Sequence, residues 1–252
     1  MNKKVFWLSL IAVIISFIGG FLLANALNRK ELENLRGEVG RLKNPSQSTV
    51  ENNSEPSLSE EEIRQKIEEA DKNPENIDYQ KGLGMALYRY ASMKQEPRWL
   101  KDIARLLSRV YEKNPKDYNA IISLGNIYFD IAETGAGSSV SDEEKNQALE
   151  KSREFYQKAL EMNPNDAAIR TEMGMTYLLE NPPKNDKAIG EFQKSLQISP
   201  KNEKALENMT RAFLNSGKTK EAEEFLGKLK EVHPQNSSIP DLDARLAQIK
   251  NS

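Results

Sequence analysis

Hydrophobic positions change their spacing three times along this chain. From Val5 to Ala24, "VFWLSLIAVIISFIGGFLLA", no residue is charged and every helical face is apolar. A helix of that length spans about 30 Å, the thickness of a bilayer core, so a membrane helix is expected over residues 5–27. Leu32, Leu35, Val39 and Leu42 then follow 3-4-3 spacing within a charged stretch, 28–43. That spacing is the seam of a short coiled coil. With about two heptads, and with Gly37 and Gly40 inside, an unpartnered juxtamembrane helix fits the same residues. Residues 44–58 are polar, contain two prolines and offer little to bury, as a flexible linker does. "SEEE" at Ser59 to Glu62 has the capping-box form, serine followed three residues later by glutamate, so a helix is expected to begin there. The rest, 59–252, shows helical periodicity and no strand-like alternation.

Within that last region the pattern repeats. Prolines end similar tripeptides at Pro74, Pro115, Pro164, Pro200 and Pro234, at intervals of 41, 49, 36 and 34 residues. A glycine stands ten residues after each of the first three: Gly84, Gly125 and Gly174. Self-similarity at this period marks a stacked-helix array. A glycine inside a helix costs about 1 kcal/mol relative to alanine. Gly125 therefore predicts a close approach of the paired helix, with Leu124 and Tyr128 filling the space beside it.

The repeat resembles the tetratricopeptide repeat (TPR), two antiparallel helices over 34 residues with the pattern W-x2-L-G-x2-Y…A-x3-F…P. Leu124, Gly125 and Tyr128 match its first helix, and Tyr156, Ala159 and Pro164 the end of its second. Gly174, Tyr177, Ala188, Phe192 and Pro200 match the next unit. The last unit replaces the glycine with Thr210 and keeps Phe213, Ala222 and Pro234. The first is degenerate, with Ile103, Leu107 and Val110 in its second-helix slots. The resemblance implies an all-α fold: an α-solenoid of about four helix pairs (74–115, 115–164, 164–200, 200–234), with a preceding helix at Ser59 to Lys72 and a capping helix at 239–250. Two units carry insertions, around "SMKQEPRW" and "ETGAGSSVSDEEK". Gly135 to Ser139 reads as an exposed loop, with Ser141 or Asp142 capping the next helix. Such insertions serve a binding face or are simply tolerated at the surface.

The family's concave groove, lined by the first helix of each unit, implies a site for a protein or peptide partner. Its slots fall here on Met85, Tyr88, Arg89, Ile122, Asn126, Phe129 and Asp130, then Thr171, Met175, Leu178, Leu179, Arg211, Leu214 and Asn215. That lining is apolar in the middle and charged at both ends; Leu178 and Phe129 equally suit an inter-repeat core. The carboxylate clamp of one TPR subclass is not matched. Lys81 fills its first slot, but Met85, Ser123, Ala168 and Glu172 replace the others.

Composition narrows the function. The 36 basic and 38 acidic residues nearly balance, which gives no reason to expect nucleic acid. Without cysteine there are no disulfides, thiolate nucleophiles, cysteine–zinc sites or lipoprotein anchor. The single histidine, His233, stands at a helix end before Pro234, so no triad or transition-metal cluster is expected. The carboxylate runs are solvated helix faces, and Gly135 to Gly137 lacks the lysine of a phosphate loop. No catalytic residue, metal or cofactor is expected.

Lys3 and Lys4 before the apolar run favour the N-terminus inside and the repeats outside the cytoplasm, as in a bacterial inner-membrane protein. "ANA" at Ala24 to Ala26 resembles a signal-peptidase site, but the apolar run exceeds a signal's, which favours a retained anchor. Ala12, Ser16, Gly20 and Ala24 form a ridge of small residues through which two membrane helices, and hence a homodimer, can pack. The layout is similar to TPR subunits of cytochrome c maturation and to secretion and pilus assembly factors. The maturation subunits commonly carry two membrane helices, where this chain shows one. The expected function is a membrane-anchored scaffold in an envelope assembly; the alternative is a structural subunit dimerising through its stem.

Overall fold

The computed structural model describes residues 59–251. The expected membrane helix, juxtamembrane helix and linker lie outside the described residues. No described helix is long and apolar enough to cross a membrane. The compact unit from Leu58 onward contains, among the described residues, ten α-helices and no strand. They are α1 (Glu60–Lys72), α2 (Ile77–Lys94), α3 (Leu100–Lys113), α4 (Tyr118–Thr134), α5 (Asp142–Met162), α6 (Ala167–Leu178), α7 (Asn185–Ile198), α8 (Glu203–Asn215), α9 (Thr219–Val232) and α10 (Ile239–Lys250). The pairs α2/α3, α4/α5, α6/α7 and α8/α9 pack as four hairpins, and each stacks on the next. The unit is an all-α solenoid, with α1 packed before the array and α10 closing it.

One turn, repeated, sets the joints. At each proline the preceding residue's N–H closes the outgoing helix: Asn73 to Ala70, Asn114 to Val110, Asn163 to Ala159, Ser199 to Ser195 and His233 to Leu229. Proline then takes the second position of a β-turn, which its fixed φ suits. Two residues on, the chain bonds back, from Asp117 N–H to the Asn114 carbonyl at 3.0 Å and from Asp166 N–H to the Asn163 carbonyl at 3.2 Å. In the first four joints that residue also caps the next helix. Asn76, Asp117, Asp166 and Asn202 accept from the backbone N–H groups of Tyr79, Ala120, Ile169 and Ala205. One short polar motif thus ends a helix, turns the chain and starts another.

Between the paired helices, glycine meets a ring. A Cβ on Gly125 would lie 2.5 Å from Cε1 of Tyr156, and one on Gly174 would lie 2.4 Å from Cε1 of Phe192. Both rings are fully buried. The close approach expected at Gly125 is present, but the space is filled from the partner helix by Tyr156. Tyr128 instead stacks on Phe155, with ring centroids 5.8 Å apart. Ser152 donates to the Gly125 carbonyl at 2.8 Å, which fixes the approach further. Thr210, in the glycine's place, is buried and returns its hydroxyl to the Leu206 carbonyl.

The two insertions meet. A 3-10 turn at Pro97–Trp99 packs on another at Gly135–Gly137. Gly137 has φ +83, and a Cβ on it would lie 3.6 Å from the Arg98 backbone. Gly135 and Ala136 are buried, so only the far part of the expected exposed loop, Gly137 to Ser139, faces water. The cause is apolar: Ala136 and Trp99 belong to the core shared by α2, α3 and α4. Ser141 caps α5 in a full capping box with Glu144, and Ser59 caps α1 in the same way with Glu62.

Candidate functional site

The first helices of the four repeats, α2, α4, α6 and α8, carry the expected groove positions, with Leu179 as the residue that ends α6. Of these helices, α2 touches α4 and α6 touches α8. The structure sorts the fourteen residues into three groups. Thr171, Leu178 and Leu214 are buried and serve the interior. Thr171 shares hydrogen bonds with Ser195 at 2.8 Å and Asn202 at 3.1 Å, which join α6 to α7 and to the turn before α8. Leu178 and Leu214 lie in the C-terminal core with Phe192, Phe213 and Leu242. These three positions are therefore corrected from groove to core, because neighbouring elements cover them, through polar contacts at Thr171 and apolar ones at Leu178 and Leu214.

The second group is claimed by the capping helix. Arg211 bonds Glu207 and Ser238 at 3.0 Å, and Asn215 accepts from Arg245 of α10 at 2.9 Å. The charged end expected on α8 is thus spent on closing the array. His233 makes a similar joint: its Nε2 lies 2.8 Å from the Lys201 carbonyl.

The third group stays open. Met85, Tyr88, Ile122, Asn126, Phe129, Asp130, Met175 and Leu179 are half-buried, and Arg89 is exposed. Met85 meets Ser123 across α2 and α4, with sulfur and hydroxyl 3.3 Å apart. Phe129 and Leu179 pack on one small cluster, Ala132, Ala148 and Leu149. The Tyr156 hydroxyl donates to Asn126 Oδ1 at 2.8 Å, so the ring that meets Gly125 also orients a groove amide.

The middle of this face carries polar groups as well, where the sequence predicts an apolar lining. Tyr88 donates to Asp130 Oδ2 at 2.7 Å, tying α2 to α4. Burial pushes the Asp130 carboxyl above the usual range, and the charges of Glu172 and Glu133 push it further. The hydrogen bond from Tyr88 and the charge of Lys204 only partly offset this. Burial and the charge of Asp130 likewise raise the Tyr88 hydroxyl. Elsewhere on these helices, charges are matched within the fold. Lys81 pairs with Asp117 at 2.6 Å, and Lys204 holds both oxygens of Glu172 at 2.7 and 2.9 Å. Among the described residues, no group of three or more His, Cys, Asp or Glu is placed to hold a metal ion.

Tetratricopeptide-repeat family models match residues 155–189 and 184–246, from within α5 to within α10. Comparison with curated protein sequences finds no match. Among solved structures, MamA is 21% identical with a TM-score of 0.52, over 70% of this chain and 90% of that one. A thermophilic TPR protein in Thermus thermophilus is 17% identical with a TM-score of 0.51, over 76% of this chain and 90% of that one. A tetratricopeptide repeat protein from Parabacteroides merdae is 17% identical with a TM-score of 0.52, over 74% of this chain and 61% of that one. At these identities the likeness shows the fold alone: the described solenoid has the tetratricopeptide-repeat fold.

Proposed function

We propose that the chain is a membrane-anchored TPR scaffold that captures a peptide segment of a partner protein along the face of α2, α4 and α6. One observation carries this reading. Half-exposed apolar side chains, Met85, Ile122, Phe129, Met175 and Leu179, recur on the first helices of three successive repeats and end where α10 closes the array. Stacked repeats offer such a face to extended or helical segments. The apolar run from Val5 to Ala24 supports anchorage, and Lys3 and Lys4 support a solenoid outside the cytoplasm of a bacterial inner membrane. An envelope assembly or maturation complex is the setting that fits this layout.

The ridge Ala12, Ser16, Gly20 and Ala24 favours a second reading, a structural subunit that dimerises through its stem. Affinity capture from native membranes separates the two. Full-length chain, the Met175→Glu/Leu179→Glu variant and a form lacking residues 1–58 are compared, with circular dichroism confirming equal helicity. The scaffold reading predicts that the groove variant alone loses the partner. A partner lost with the stem and retained by the groove variant overturns it.

A further inference from the structure

We propose that Asp130 anchors a lysine or arginine side chain of the bound partner, in a pocket between the C-terminal ends of α2 and α4. The inference rests on the groove reading above and names the chemistry that the groove selects. The pocket has a volume of about 490 Å³. Ala91, Pro97 and Leu100 supply apolar wall, Ser92 and Thr134 supply hydroxyls, Gln95 supplies an amide, and Asp130 is the charged group. Among the described residues, no lysine, arginine or histidine lines it.

The carboxylate is half satisfied. Oδ2 accepts from Tyr88, while no described residue donates to Oδ1. Asp130 is half-buried and lines the pocket, so a ligand seated there meets its carboxylate. The nearest charges of the fold are already spoken for. Glu172 and Lys204 satisfy each other, and Arg89, exposed on α2, is not among the charges that chiefly shift Asp130. A half-buried carboxylate without a cation is costly, and an arriving ammonium or guanidinium offsets that cost. A lysine or arginine also has the right shape, because its aliphatic stem packs on Ala91, Pro97 and Leu100 while the head meets Oδ1. The single carboxylate and the apolar walls fit this better than a metal ion, which asks for several hard oxygen ligands. The shift of the carboxyl away from its charged form agrees: the free site is poised to gain from a cation.

The test uses full-length chain in detergent micelles and a phage-displayed library of random dodecapeptides. Selected peptides are expected to share one lysine or arginine flanked by apolar residues. The tightest is then titrated, with its basic residue intact or replaced by norleucine, against wild type and Asp130→Asn. Asparagine can still accept from Tyr88, so the fold is kept; circular dichroism checks this. Against wild type, norleucine should weaken binding about tenfold or more, as loss of a charged hydrogen bond does. Against Asp130→Asn, the two peptides should bind alike. Selected peptides without a basic residue, or an equal norleucine penalty in both proteins, overturn the inference and leave the groove reading standing. If no peptide is selected, the groove reading itself fails. If Asp130→Asn changes the chain's own association state instead, the occupant is a second copy and the peptide proposal is wrong.

Discussion

Adding one methyl group at Gly174 should weaken the solenoid, while the same addition sixteen residues later should strengthen it. The Cβ of Gly174→Ala would lie 2.4, 2.7 and 3.0 Å from Cε1, Cδ1 and Cζ of Phe192. Carbon atoms rest at about 3.5–4.0 Å, so the nearest is roughly 1 Å too close. Phe192 is fully buried and has no room to swing away. Relief requires α6 and α7 to separate, at the upper end of the ~1–3 kcal/mol typical of overpacking. Alanine's helix preference returns about 1 kcal/mol, which leaves a net loss near 2 kcal/mol. Gly190 lies inside α7 with nothing within 4 Å of its would-be Cβ, so Gly190→Ala keeps the full gain of about 1 kcal/mol. Both variants make the same change in the unfolded chain, so the difference of about 3 kcal/mol reports the folded contact. For a domain of this size each kcal/mol moves Tm by about 2–4 °C. Thermal melts followed by circular dichroism should show Gly174→Ala falling by roughly 4–8 °C and Gly190→Ala rising by roughly 2–4 °C. Shifts in the same direction and of similar size would refute the argument that ring contact selects glycine.

Three further outcomes follow from particular contacts. Asp166→Ala removes both the cap on Ile169 N–H and the acceptor for the Tyr118 hydroxyl, and urea titration should show a loss of about 1–2 kcal/mol. Thr171→Val removes the hydroxyl that bonds Ser195 and Asn202, which keep each other and the Ala167 carbonyl, and should cost about 1 kcal/mol, whereas Arg89→Ala, on the open face, should stay within about 0.5 kcal/mol. Asp130 and Asp117 should respond oppositely to pH. The raised Asp130 carboxyl binds its proton more tightly in the folded state, so its ionisation destabilises above its folded pKa. Asp130→Asn should therefore melt higher than wild type at pH 7 and lose that advantage below about pH 4. Burial opposes the Asp117 charge, but hydrogen bonds from Lys81 and the Ala120 N–H outweigh it and hold the carboxyl low. Its contribution is present above about pH 4 and is lost as pH falls through the folded value, so Asp117→Asn should cost stability at pH 7 and progressively less as pH falls below about 4.

The residues that mark the joints are legible in the sequence because they act locally. Pro115 and Asp117, or Pro164 and Asp166, turn and cap the chain within four residues, so their spacing carries the repeat. Gly125 reveals that something comes close, but not that Tyr156 does so, because its partner lies 31 residues away in the other helix. What escapes the sequence depends on how repeats stack. Gly137 resting on Arg98, Asn215 held by Arg245 and Thr171 enclosed by Ser195 and Asn202 each join segments that no periodicity aligns. The groove suffers most for that reason. Tyr88 and Asp130 both read as lining residues, yet their hydrogen bond across 42 positions, and the pocket beside it, follow only from the placement of α2 against α4.

The central claim is that this chain binds a partner protein through the face of its first helices. Photo-crosslinking in native membranes tests it most directly, with the photoreactive residue p-benzoylphenylalanine placed singly at Phe129, on the open face, or at Lys228, on α9 and exposed. The account predicts one discrete adduct with another protein from position 129 and none from position 228. Adducts of equal yield from both positions, or from position 228 alone, would contradict it.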